Sequence, residues 1–586
     1  MFIDKWRFYA IVIRSQDSGG SLQIKMDGKL EKRKVGKMKK TKILALLLSL
    51  AMLVGLITAC GTNDTPTDDG PGTNASSPPP STPPSDDGKT EAPVQPAIPE
   101  VPTGARIADH IEIVKDNQGV AVINPNAIGA GGGMVWFTYI MILDTLVYRV
   151  DGGMEFAGRL ATDWETDDWQ TFIFHLRDDV YFHNGDHFTA DDVVANIEYT
   201  WANPGGEATT VWGRVETARA LDPYTVELVT YNVDVDLLFE LASPPAGFMS
   251  PRAIRENPET GPWIGTGPWK ISGFSTSNYV EFERNDDYWG EIPPTKTLAL
   301  RFIPEPAART MMLQNGECQF SFGISPEDIE LFENDPNFTV YPSRTNFIFS
   351  VWFNMAHPVC SDYNFRMAVA HALDLDAITL VAADRSGDRV TDAATWGRNT
   401  QFRLDGLPNR ERDLDLAREY LAKSPYKGEQ IVITAAIADN IRAAEVVQQQ
   451  LSEIGIDLFV NVTDLPGFTA YTQTGNSKLE MAFFLNAPMG YASSMRQFFY
   501  PGTARNGLEY NNPRVAELFD LALSEIDVSL RESYYHEIQQ IMYDDPPQIN
   551  VFWLVHGFIG SSKLGGFTIT GESTHDFRNV FLLLDD

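Results

Sequence analysis

The sequence predicts an α/β fold built from two lobes. The chain has 586 residues, which are too many for one small hydrophobic core. Apolar residues make up 43% of the chain and aromatic residues 11%, as is typical of globular proteins. From about residue 105 onward, strand patterns alternate with helix patterns. One stretch has the strand–helix–strand order of a parallel βαβ unit.

The segment ahead of the predicted folded body contains a predicted export signal. Met38 to Lys42 is basic, and Ile43 to Ala59 is a run of apolar and small residues. This run is shorter than the roughly 20 residues of a membrane span, and it is typical of a signal-peptide core. We therefore interpret residues 38–60 as the signal. Residues 1–37 have no role in export, so we interpret them as a non-native extension.

Cys60 lies at the predicted cleavage point of this signal. The sequence Leu-Ile-Thr-Ala-Cys-Gly that ends at Gly61 resembles a bacterial lipobox, whose cysteine is lipidated and becomes the mature N-terminus. An ordinary signal with a chance cysteine is the alternative. Residues 61–104 are rich in Pro, Ser, Thr, Asp and Gly, so they cannot bury apolar area. We expect a disordered linker between a lipid anchor and the folded body.

The strongly negative net charge of the chain limits the classes of partner that it can bind. The net charge is −33, although the first 59 residues carry a basic excess, so the acidic groups belong to the remainder. A strongly acidic surface argues against binding of nucleic acid or adsorption to anionic lipid. Solubility is the more general explanation for such a charge. We expect no nucleic-acid partner.

The stretch Phe172–Val194 has the order strand, turn, strand, turn, helix. Phenylalanines alternate with polar residues at its start, as in a half-buried strand. Asn184 and Gly185 supply the backbone freedom of a tight turn. Thr189 stands three residues before Asp192, which is the spacing of a helix capping box. The pattern predicts a helix that begins just after Thr189.

The βαβ pattern lies in the second half of the chain. Gln430–Ile437 is apolar and β-branched, as expected for a buried strand. Apolar residues then follow at helical spacing from Ile441 to Ile454, and Gly455 ends the helix. The alternating segment Ile456–Val462 is the second strand. A connection of this kind predicts a parallel pair with a right-handed crossover.

Three cysteines occur in the chain, and one of them is Cys60 of the export signal. The other two are Cys318 and Cys360, and two cysteines do not make a disulfide framework. We expect both to be buried or free thiols, with a disulfide between them as the alternative. The spacing of cysteine and histidine residues does not match a zinc site.

The stretch Phe172–Val194 resembles one family closely. This family is solute-binding family 5, the lipoproteins of ABC importers that carry peptides, nickel complexes or oligosaccharides. Its pattern is F-x-L-R-x-x-V-x-F-H-x-G-x-x-x-T-A-x-D-V. The matching residues are Phe174, Leu176, Arg177, Val180, Phe182, His183, Gly185, Thr189, Ala190, Asp192 and Val193.

Further landmarks follow in the order of the family, and together they cover nearly all of residues 105–586. One motif alone is weak, but this many in order make the resemblance specific. Cys318 and Gln319 depart from the family pattern G-E-I-D after Gly316. The landmarks are Leu160–Glu165, Gly265–Trp269, Asn285–Gly290, Asn354–Asp374, Val446–Ile456 and Tyr510–Val515.

The resemblance implies a two-lobed, periplasmic-binding-protein-like fold of class II type, with a hinge and an extra subdomain in the first lobe. We expect lobe I to comprise residues 105–347 and 551–586, and lobe II residues 348–550. Extended strands near Phe347–Phe353 and Ile549–Leu554 are the hinge candidates. Closure about such hinges sequesters a ligand from water.

The family also implies where a ligand binds. Its peptide-binding members hold the α-amine of the ligand with an aspartate in a segment W-x-x-D-Y-x-D-P of the second lobe. In the matching segment, Phe484 stands at the tryptophan and Ala487 at the aspartate. No Asp or Glu lies between Met481 and Tyr500. Since a buried cation needs a paired carboxylate, this departure argues against an ordinary peptide with a free amine.

Aromatic rings are the alternative ligand-binding chemistry, because they stack on sugars or hold apolar side chains. Trp136 follows three glycines in a predicted loop, and Trp396 lies beside Gly397 in another. Burial in the core is the alternative for both tryptophans, since Trp is usually largely buried. The weaker candidates are Phe248, Phe322, Phe484, Asn486 and Tyr491.

Enzymatic function finds no support in the sequence. His183 and His187 have a spacing that occurs in metal sites, but they fall on a turn and lack a third ligand. Nucleophile-elbow, Walker and dinucleotide motifs are absent from the sequence. We predict no catalytic residue, no bound metal and no cofactor.

Three hypotheses for function stay open from the sequence. The resemblance implies a lipid-anchored receptor, on the extracytoplasmic face of the cell membrane, that delivers an oligopeptide or related solute to an ABC permease and its ATPase. The second hypothesis keeps the fold and changes the solute to an oligosaccharide. The third is a sensor or adhesion protein without transport. We expect a monomer anchored through Cys60.

Overall fold

A computed structural model of the chain divides into two compact units, Met1–Pro83 and Pro84–Asp586. In the first unit, strands β1 (Ile24–Met26) and β2 (Lys29–Glu31) pair in antiparallel fashion. The predictions for the signal, for Cys60 and for nearly all of the linker lie outside the described residues. The structure describes residues 24–26, 29–31, 101, 104–116, 122–127, 133–383, 386–393, 396–472, 478–503, 505–570 and 574–585.

The second unit contains an eleven-stranded mixed sheet and several smaller sheets. In chain order its strands are β3 (His110–Lys115), β4 (Val147–Arg149), β5 (Phe156–Gly158), β6 (Ala161–Glu165), β7 (Thr171–Leu176), β8 (Val215–Asp222), β9 (Thr225–Thr230), β10 (Trp269–Ser275), β11 (Tyr279–Arg284), β12 (Thr297–Phe302), β13 (Phe320–Phe322), β14 (Phe338–Phe353), β15 (Gly387–Arg389), β16 (Ile431–Ala435), β17 (Leu458–Val462), β18 (Met481–Asn486), β19 (Gln548–Ser561), β20 (Leu564–Gly565) and β21 (Phe581–Leu582).

Fifteen α-helices of the described ranges pack with these sheets. In chain order they are α1 (Gly133–Ile142), α2 (Ala190–Ala202), α3 (Ala208–Trp212), α4 (Leu237–Leu241), α5 (Pro251–Glu256), α6 (Pro306–Gln314), α7 (Pro326–Glu333), α8 (Tyr363–Ala372), α9 (Leu375–Ala383), α10 (Leu414–Lys423), α11 (Ala438–Ser452), α12 (Leu465–Tyr471), α13 (Arg496–Phe499), α14 (Pro513–Ser524) and α15 (Val528–Asp544). None of the helices in the described ranges is long and apolar enough to cross a membrane.

The buried apolar residues fall into two sets, which define two lobes. Lobe I has its core between residues 111 and 341 and again between 558 and 580. Lobe II has its core between residues 349 and 552. The large sheet runs through both, in the order β10-β11-β12-β3-β13-β19-β14-β18-β16-β17, with β15 beside β19. The predicted α/β fold of two lobes is confirmed.

Lobe I carries a subdomain with a separate core. Strands β6, β7, β9 and β8 form a four-stranded antiparallel sheet, in which alternate side chains such as Phe172 and Phe174 are fully buried. Helix α2 begins where the sequence predicts: the backbone N–H of Thr189 donates to the Asp192 carboxylate at 2.9 Å. Gly185 has φ +82°, a left-handed conformation that favours glycine, so the predicted tight turn is confirmed.

The predicted βαβ unit is also confirmed. Strands β16 and β17 pair in parallel with Ile433 opposite Val460, and helix α11 connects them. Gly455 has φ +88° just beyond the helix, where a left-handed residue ends the helical turn. The spacing of apolar residues was sufficient to predict this unit because its strand, helix and strand follow one another directly in the chain.

Strands β14 and β19 pair over most of their length and belong to both lobes. Their register shifts between Arg344 and Ile348, where lobe I gives way to lobe II. The predicted extended segments, Phe347–Phe353 and Ile549–Leu554, lie within these two strands. The exact lobe boundaries and the hinge itself stay predictions.

Cys318 and Cys360 are both buried and unpaired, as the sequence predicts. Burial raises the pKa of the Cys318 thiol to about 12, and it raises the pKa of Cys360 well above its ordinary value. Because a thiolate is the reactive form, both cysteines are inert packing residues in the folded protein.

A candidate ligand-binding cleft between the lobes

A cavity of about 590 Å³ lies between the two lobes. Lobe I supplies its walls from residues between Trp136 and Pro245, and lobe II from residues between Ala487 and Leu523. Its volume is within the usual range for small-molecule sites. Because both lobes line the cavity, a molecule bound there would contact both at once.

A second cavity of about 240 Å³ lies beside the first. The two share Ser243 of lobe I and the lobe II residues Met489 and Tyr491 as walls. The smaller cavity extends from this shared wall into lobe I, toward Arg159 and Arg578. The two cavities are therefore adjacent.

Tyr491 connects lobe II to lobe I. Its ring stacks on Phe239, with centroids 4.8 Å apart and an interplanar angle of 20°. Its hydroxyl donates to Glu240 Oε1 at 2.9 Å. Burial raises the pKa of the Tyr491 hydroxyl, and the nearby Glu240 adds to this rise, so the hydroxyl stays a donor. Tyr491 was a weaker candidate from the sequence, and the structure places it on the cavity wall.

Three charged groups of lobe I lie next to this contact, and the two carboxylates among them are largely buried. Arg214 donates to Asp234 Oδ2 and to Glu240 Oε1, both at 2.8 Å. Burial raises the pKa of Glu240, while Arg214 opposes that rise. Burial would lower the pKa of Arg214, but Glu240 and Asp234 raise it overall. The arginine thus satisfies two carboxylates that would otherwise be costly to bury.

A fourth charged group of lobe I, Asp236, is buried beside the cleft, and it pairs with Arg531 of lobe II. Arg531 Nη1 lies 3.8 Å from Asp236 Oδ1. Burial raises the pKa of Asp236, and Arg531 opposes the rise. The backbone N–H of Val235 also donates to the carbonyl of Leu523 at 3.3 Å. The described lobes are therefore in direct contact on this side of the cleft.

Trp136 also lines the larger cavity. Its indole Nε1–H donates to Glu207, and Arg505 of lobe II lies 3.8 Å from the same carboxylate. The sequence predicted a loop here, and that prediction is wrong, since Trp136 lies on helix α1 (Gly133–Ile142). The apolar residues that follow Gly133 form a helix because they pack into the lobe I core, where Phe137 and Met141 are buried.

Ala487 lies on the lobe II wall of the larger cavity, directly after strand β18. Its methyl group cannot neutralise an ammonium group. The two preceding candidates do not line either cavity. Phe484 stacks on Phe468 at 4.0 Å within lobe II, and Asn486 is fully buried, where its amide donates to Gln548 Oε1 at 2.8 Å.

Three other aromatic candidates are core residues. Trp396 is 0% exposed and packs edge-on against Tyr535, so the expectation of an exposed ring is wrong. Phe248 is fully buried against Trp212, and Phe322 is buried among lobe I aromatic rings. These rings fill the core because each meets partners from distant parts of the chain, a property that flanking glycines do not reveal.

The charged residues of the cleft were missed by sequence reasoning. Arg214, Asp234 and Glu240 carry no family motif, and single charges in a sequence are usually solvated surface groups. Their spacing shows only that Asp234 and Glu240 are close in the chain. The burial that makes them informative arises from packing between the lobes.

Comparison with known proteins establishes the family. The family model described as bacterial extracellular solute-binding proteins, family 5 middle, matches residues 155–507, more than half of the chain. The chain belongs to this family. The match includes most of lobe I and extends through Ala487 and Tyr491 of the cleft. Members of the family are extracellular solute-binding proteins, and this chain is accordingly a solute-binding protein of an ABC importer.

Two curated relatives illustrate the range of the family. A protein of Brucella ovis assigned to peptide binding in an ABC transporter is 24% identical over 479 residues, which are 76% of this chain and 88% of the relative. The nickel-binding periplasmic protein of Escherichia coli is 24% identical over 468 residues, which are 73% of this chain and 87% of the relative.

A solved structure supports the fold. It is the periplasmic binding protein DppA of Helicobacter pylori, associated with an ABC transporter and in complex with the peptide STSA. The TM-score is 0.72 at 23% sequence identity, and the match covers 82% of this chain and 99% of the other. At this identity the likeness shows the fold of the family 5 protein and not its ligand.

Proposed function

We propose that this family 5 protein is the receptor of an ABC importer, which captures an oligopeptide or related solute between its lobes and presents it to the permease. The observation that carries the proposal is the cavity of about 590 Å³ whose walls come from both lobes. The relatives add support, because their names associate them with peptide or nickel binding. The role requires no cofactor and no catalytic residue.

The distribution of aromatic rings favours a peptide-like solute over an oligosaccharide. Sugar binding by stacking needs several ring faces exposed to the cavity. Among the described residues, the aromatic ones that line it are Trp136, Tyr231 and Tyr491, and Phe239 covers one face of Tyr491. Most of the other lining residues are polar or charged, among them Arg214 and Glu240. They suit the amide and charged groups of a peptide.

The solute is not held by a carboxylate at position 487. Ala487 replaces the aspartate that anchors a free α-amine in the peptide-binding members that the sequence resembles. We therefore propose that the amine of the solute is absent, blocked or bound elsewhere. A solute of this kind falls within the peptide-related class and is not a simple free-amine oligopeptide.

We further propose that the lobes close about strands β14 and β19. The hinge then lies near Phe347–Phe353 and Ile549–Leu554, with lobe I at 105–347 and 551–586 and lobe II at 348–550. The register shift between Arg344 and Ile348 supports this position, because a break in the strand ladder allows bending.

The membrane attachment is a separate proposal. A lipid on Cys60 would hold the receptor on the extracytoplasmic face of the cell membrane as a monomer, close to the permease. Metabolic labelling with a fatty acid should mark the wild-type protein and not a Cys60→Ala variant. Unlabelled wild-type protein would contradict the anchor and leave the solute-binding role untouched.

Solute binding is tested by thermal-shift screening of the purified protein. We expect members of a peptide library to raise the melting temperature and members of an oligosaccharide library to leave it unchanged. Deletion of the gene should lower uptake of the peptides that bind. Stabilisation by oligosaccharides alone would contradict the peptide proposal. Normal uptake after deletion would contradict the transport role and favour a sensor.

A further inference from the structure

The smaller cavity beside the cleft has an unusual lining. The described residues of its walls include three arginines, Arg149, Arg159 and Arg578, and one carboxylate, that of Asp576. Arginine is rare in apolar protein interiors unless it is paired, because removing a guanidinium from water costs several kcal/mol. A cavity of about 240 Å³ with this lining therefore needs an account of how each cation is satisfied.

Arg578 is satisfied by protein groups. Its guanidinium binds the Asp576 carboxylate in a two-pronged contact, in which Nε donates to Oδ1 at 3.0 Å. Burial would lower the pKa of Arg578, but Asp576 raises it overall. Arg149 donates from Nε to the carbonyl of Gly153 at 2.7 Å. Neither arginine lacks partners.

Arg159 is bound less closely by protein groups than Arg149 and Arg578 are. Its side chain is 13% exposed, and its ion pair with Asp144 has an N–O distance of 4.0 Å, which is beyond hydrogen-bond length. Burial lowers the pKa of Arg159, and the positive charge of Arg578 lowers it further. Among the described residues, no carboxylate accepts a hydrogen bond from this guanidinium.

Asp144 cannot move to supply that bond, because other groups hold it. Its carboxylate accepts hydrogen bonds from Thr266 at 3.1 Å, from Trp289 at 3.2 Å and from Tyr288 at 3.4 Å. The side chain is 0% exposed, so it is locked in this position. The carboxylate therefore lowers the cost of burying Arg159 without occupying its hydrogen-bonding edge.

The geometry around Arg159 suits an anion. Its guanidinium lies over the Tyr148 ring at 4.7 Å, which holds the plane of the group. Planar guanidinium binds carboxylate or phosphate oxygens through two parallel hydrogen bonds. The hydroxyl-bearing side chains Thr568 and Thr574 line the same cavity and supply polar walls for such oxygens.

We propose that the smaller cavity is a subsite for an anionic group of the solute, a carboxylate or a phosphate, with Arg159 as its direct partner. The proposal rests on the function proposed above and deepens it, because it names a chemical feature of the solute. Tyr491 and Ser243 line both cavities, which are therefore adjacent, and we place the anionic end of the solute in the smaller cavity and the rest in the larger one. Together with Ala487, this arrangement selects an acidic solute without a free amine at that position.

The first test compares matched probes on the wild-type, full-length protein. A library of N-acetylated tetrapeptides is titrated as free acids and as C-terminal amides, and glucose 6-phosphate is compared with glucose. We expect binding of the acid or phosphate member at least about tenfold tighter than that of its neutral partner, since a hydrogen-bonded charge pair contributes at this level. The peptide arm and the phosphate arm distinguish the two sources of the anion.

Equal binding of charged and neutral members would overturn the anionic subsite and leave the proposed receptor function standing. Absence of binding by every probe would overturn both. Because this comparison uses wild-type protein, it does not depend on whether a variant folds.

The second test uses the variant Arg159→Gln. We expect it to lose about tenfold or more in affinity for the charged probe and to bind the neutral partner as the wild type does. Arg159→Lys should retain part of the preference, because it keeps the charge and loses the planar fork. The control is Arg284→Gln, since Arg284 is a half-buried lobe I arginine that binds Asp286 at 2.7 Å and lines neither cavity. Unchanged preference in Arg159→Gln would overturn the assignment.

Discussion

Tyr491 is the residue that best shows how one side chain can couple ligand binding to lobe closure. Its ring rests on Phe239 of lobe I, and its hydroxyl donates to the buried Glu240. It also lines both cavities. A ligand in the cleft therefore contacts the same side chain that joins the lobes.

The variant Tyr491→Phe separates these two contacts. It keeps the ring stack and removes one hydrogen bond to a buried carboxylate, which costs about 1 to 3 kcal/mol in the closed form. We expect solute affinity to fall by about tenfold or more in titration calorimetry. The control is Tyr500→Phe, whose lost hydroxyl donates to Asp520 on the surface at 2.8 Å. Equal affinities of wild type and Tyr491→Phe would show that the hydroxyl has no role in closure.

Ala487 gives a second prediction at the residue scale. The variant Ala487→Asp places a carboxylate on the wall of the larger cavity, where a free ammonium group could pair with it. We expect the preference to shift toward tetrapeptides with a free amine and away from their N-acetylated forms. Competition binding measures the shift. An unchanged preference would mean that position 487 does not face the solute.

The position of Ala487 at the cleft could be predicted because its segment aligns with the ligand-binding motif of the family. The burial of Trp396 could not be predicted in this way. Trp396 packs on Tyr535, and that partner lies far along the chain. The composition around a tryptophan does not reveal which distant ring will cover it. Arg159 went unnoticed for the same reason, since its importance depends on Asp144 and Arg578 around it.

At the scale of single elements, the turn that begins at His183 is held by a neutral imidazole. Gly265 donates its backbone N–H to Nδ1 at 3.3 Å, so Nε2 carries the proton and donates to the carbonyl of Gly267 at 2.9 Å. Burial lowers the pKa of His183 to about 4. Protonation of Nδ1 would remove the hydrogen bond from Gly265, so the neutral ring strengthens the contact between this turn and the glycine-rich landmark Gly265–Trp269.

Because the ring of His183 must be neutral to accept this hydrogen bond, we predict that it contributes to the stability of the fold in a way that is lost in acid. The pKa of His183 is about 4 in the folded protein and 6.5 for an unperturbed histidine in the unfolded chain, so its contribution to stability is complete above pH 6.5 and is lost as the pH falls toward 4. Between pH 7 and pH 5 we expect a loss of about 2 kcal/mol from this histidine. Chemical denaturation of wild type and His183→Gln measures it, and the variant should lose less stability over that interval. Parallel losses in both proteins would refute the role of the ring.

Elements governed by local pattern were predictable. The βαβ unit at β16, α11 and β17 and the capped start of α2 follow from residue spacing within short stretches. The prediction failed at Trp136, because three preceding glycines indicated a loop while the apolar run after them formed helix α1. Tertiary burial of that run decided its conformation, and a glycine count could not show it.

At the scale of the whole molecule, the long strands β14 and β19 link the lobes and the cleft lies beside lobe-to-lobe contacts. Val235 bonds Leu523, Asp236 faces Arg531, and Tyr491 bonds Glu240. All three contacts would separate if the lobes opened about the proposed hinge. The order of the family landmarks in the sequence indicated the class of receptor, but the cleft chemistry depended on residues that packing brings together.

The most direct test of capture between closing lobes is small-angle X-ray scattering of the purified protein with and without a solute that has been verified by calorimetry. We expect the solute to reduce the radius of gyration, because binding in the cleft favours the contacts between Tyr491 and Glu240 and between Asp236 and Arg531. The Tyr491→Phe variant should show a smaller change at equal solute concentration. Identical scattering curves with and without bound solute would contradict closure as the mechanism of capture.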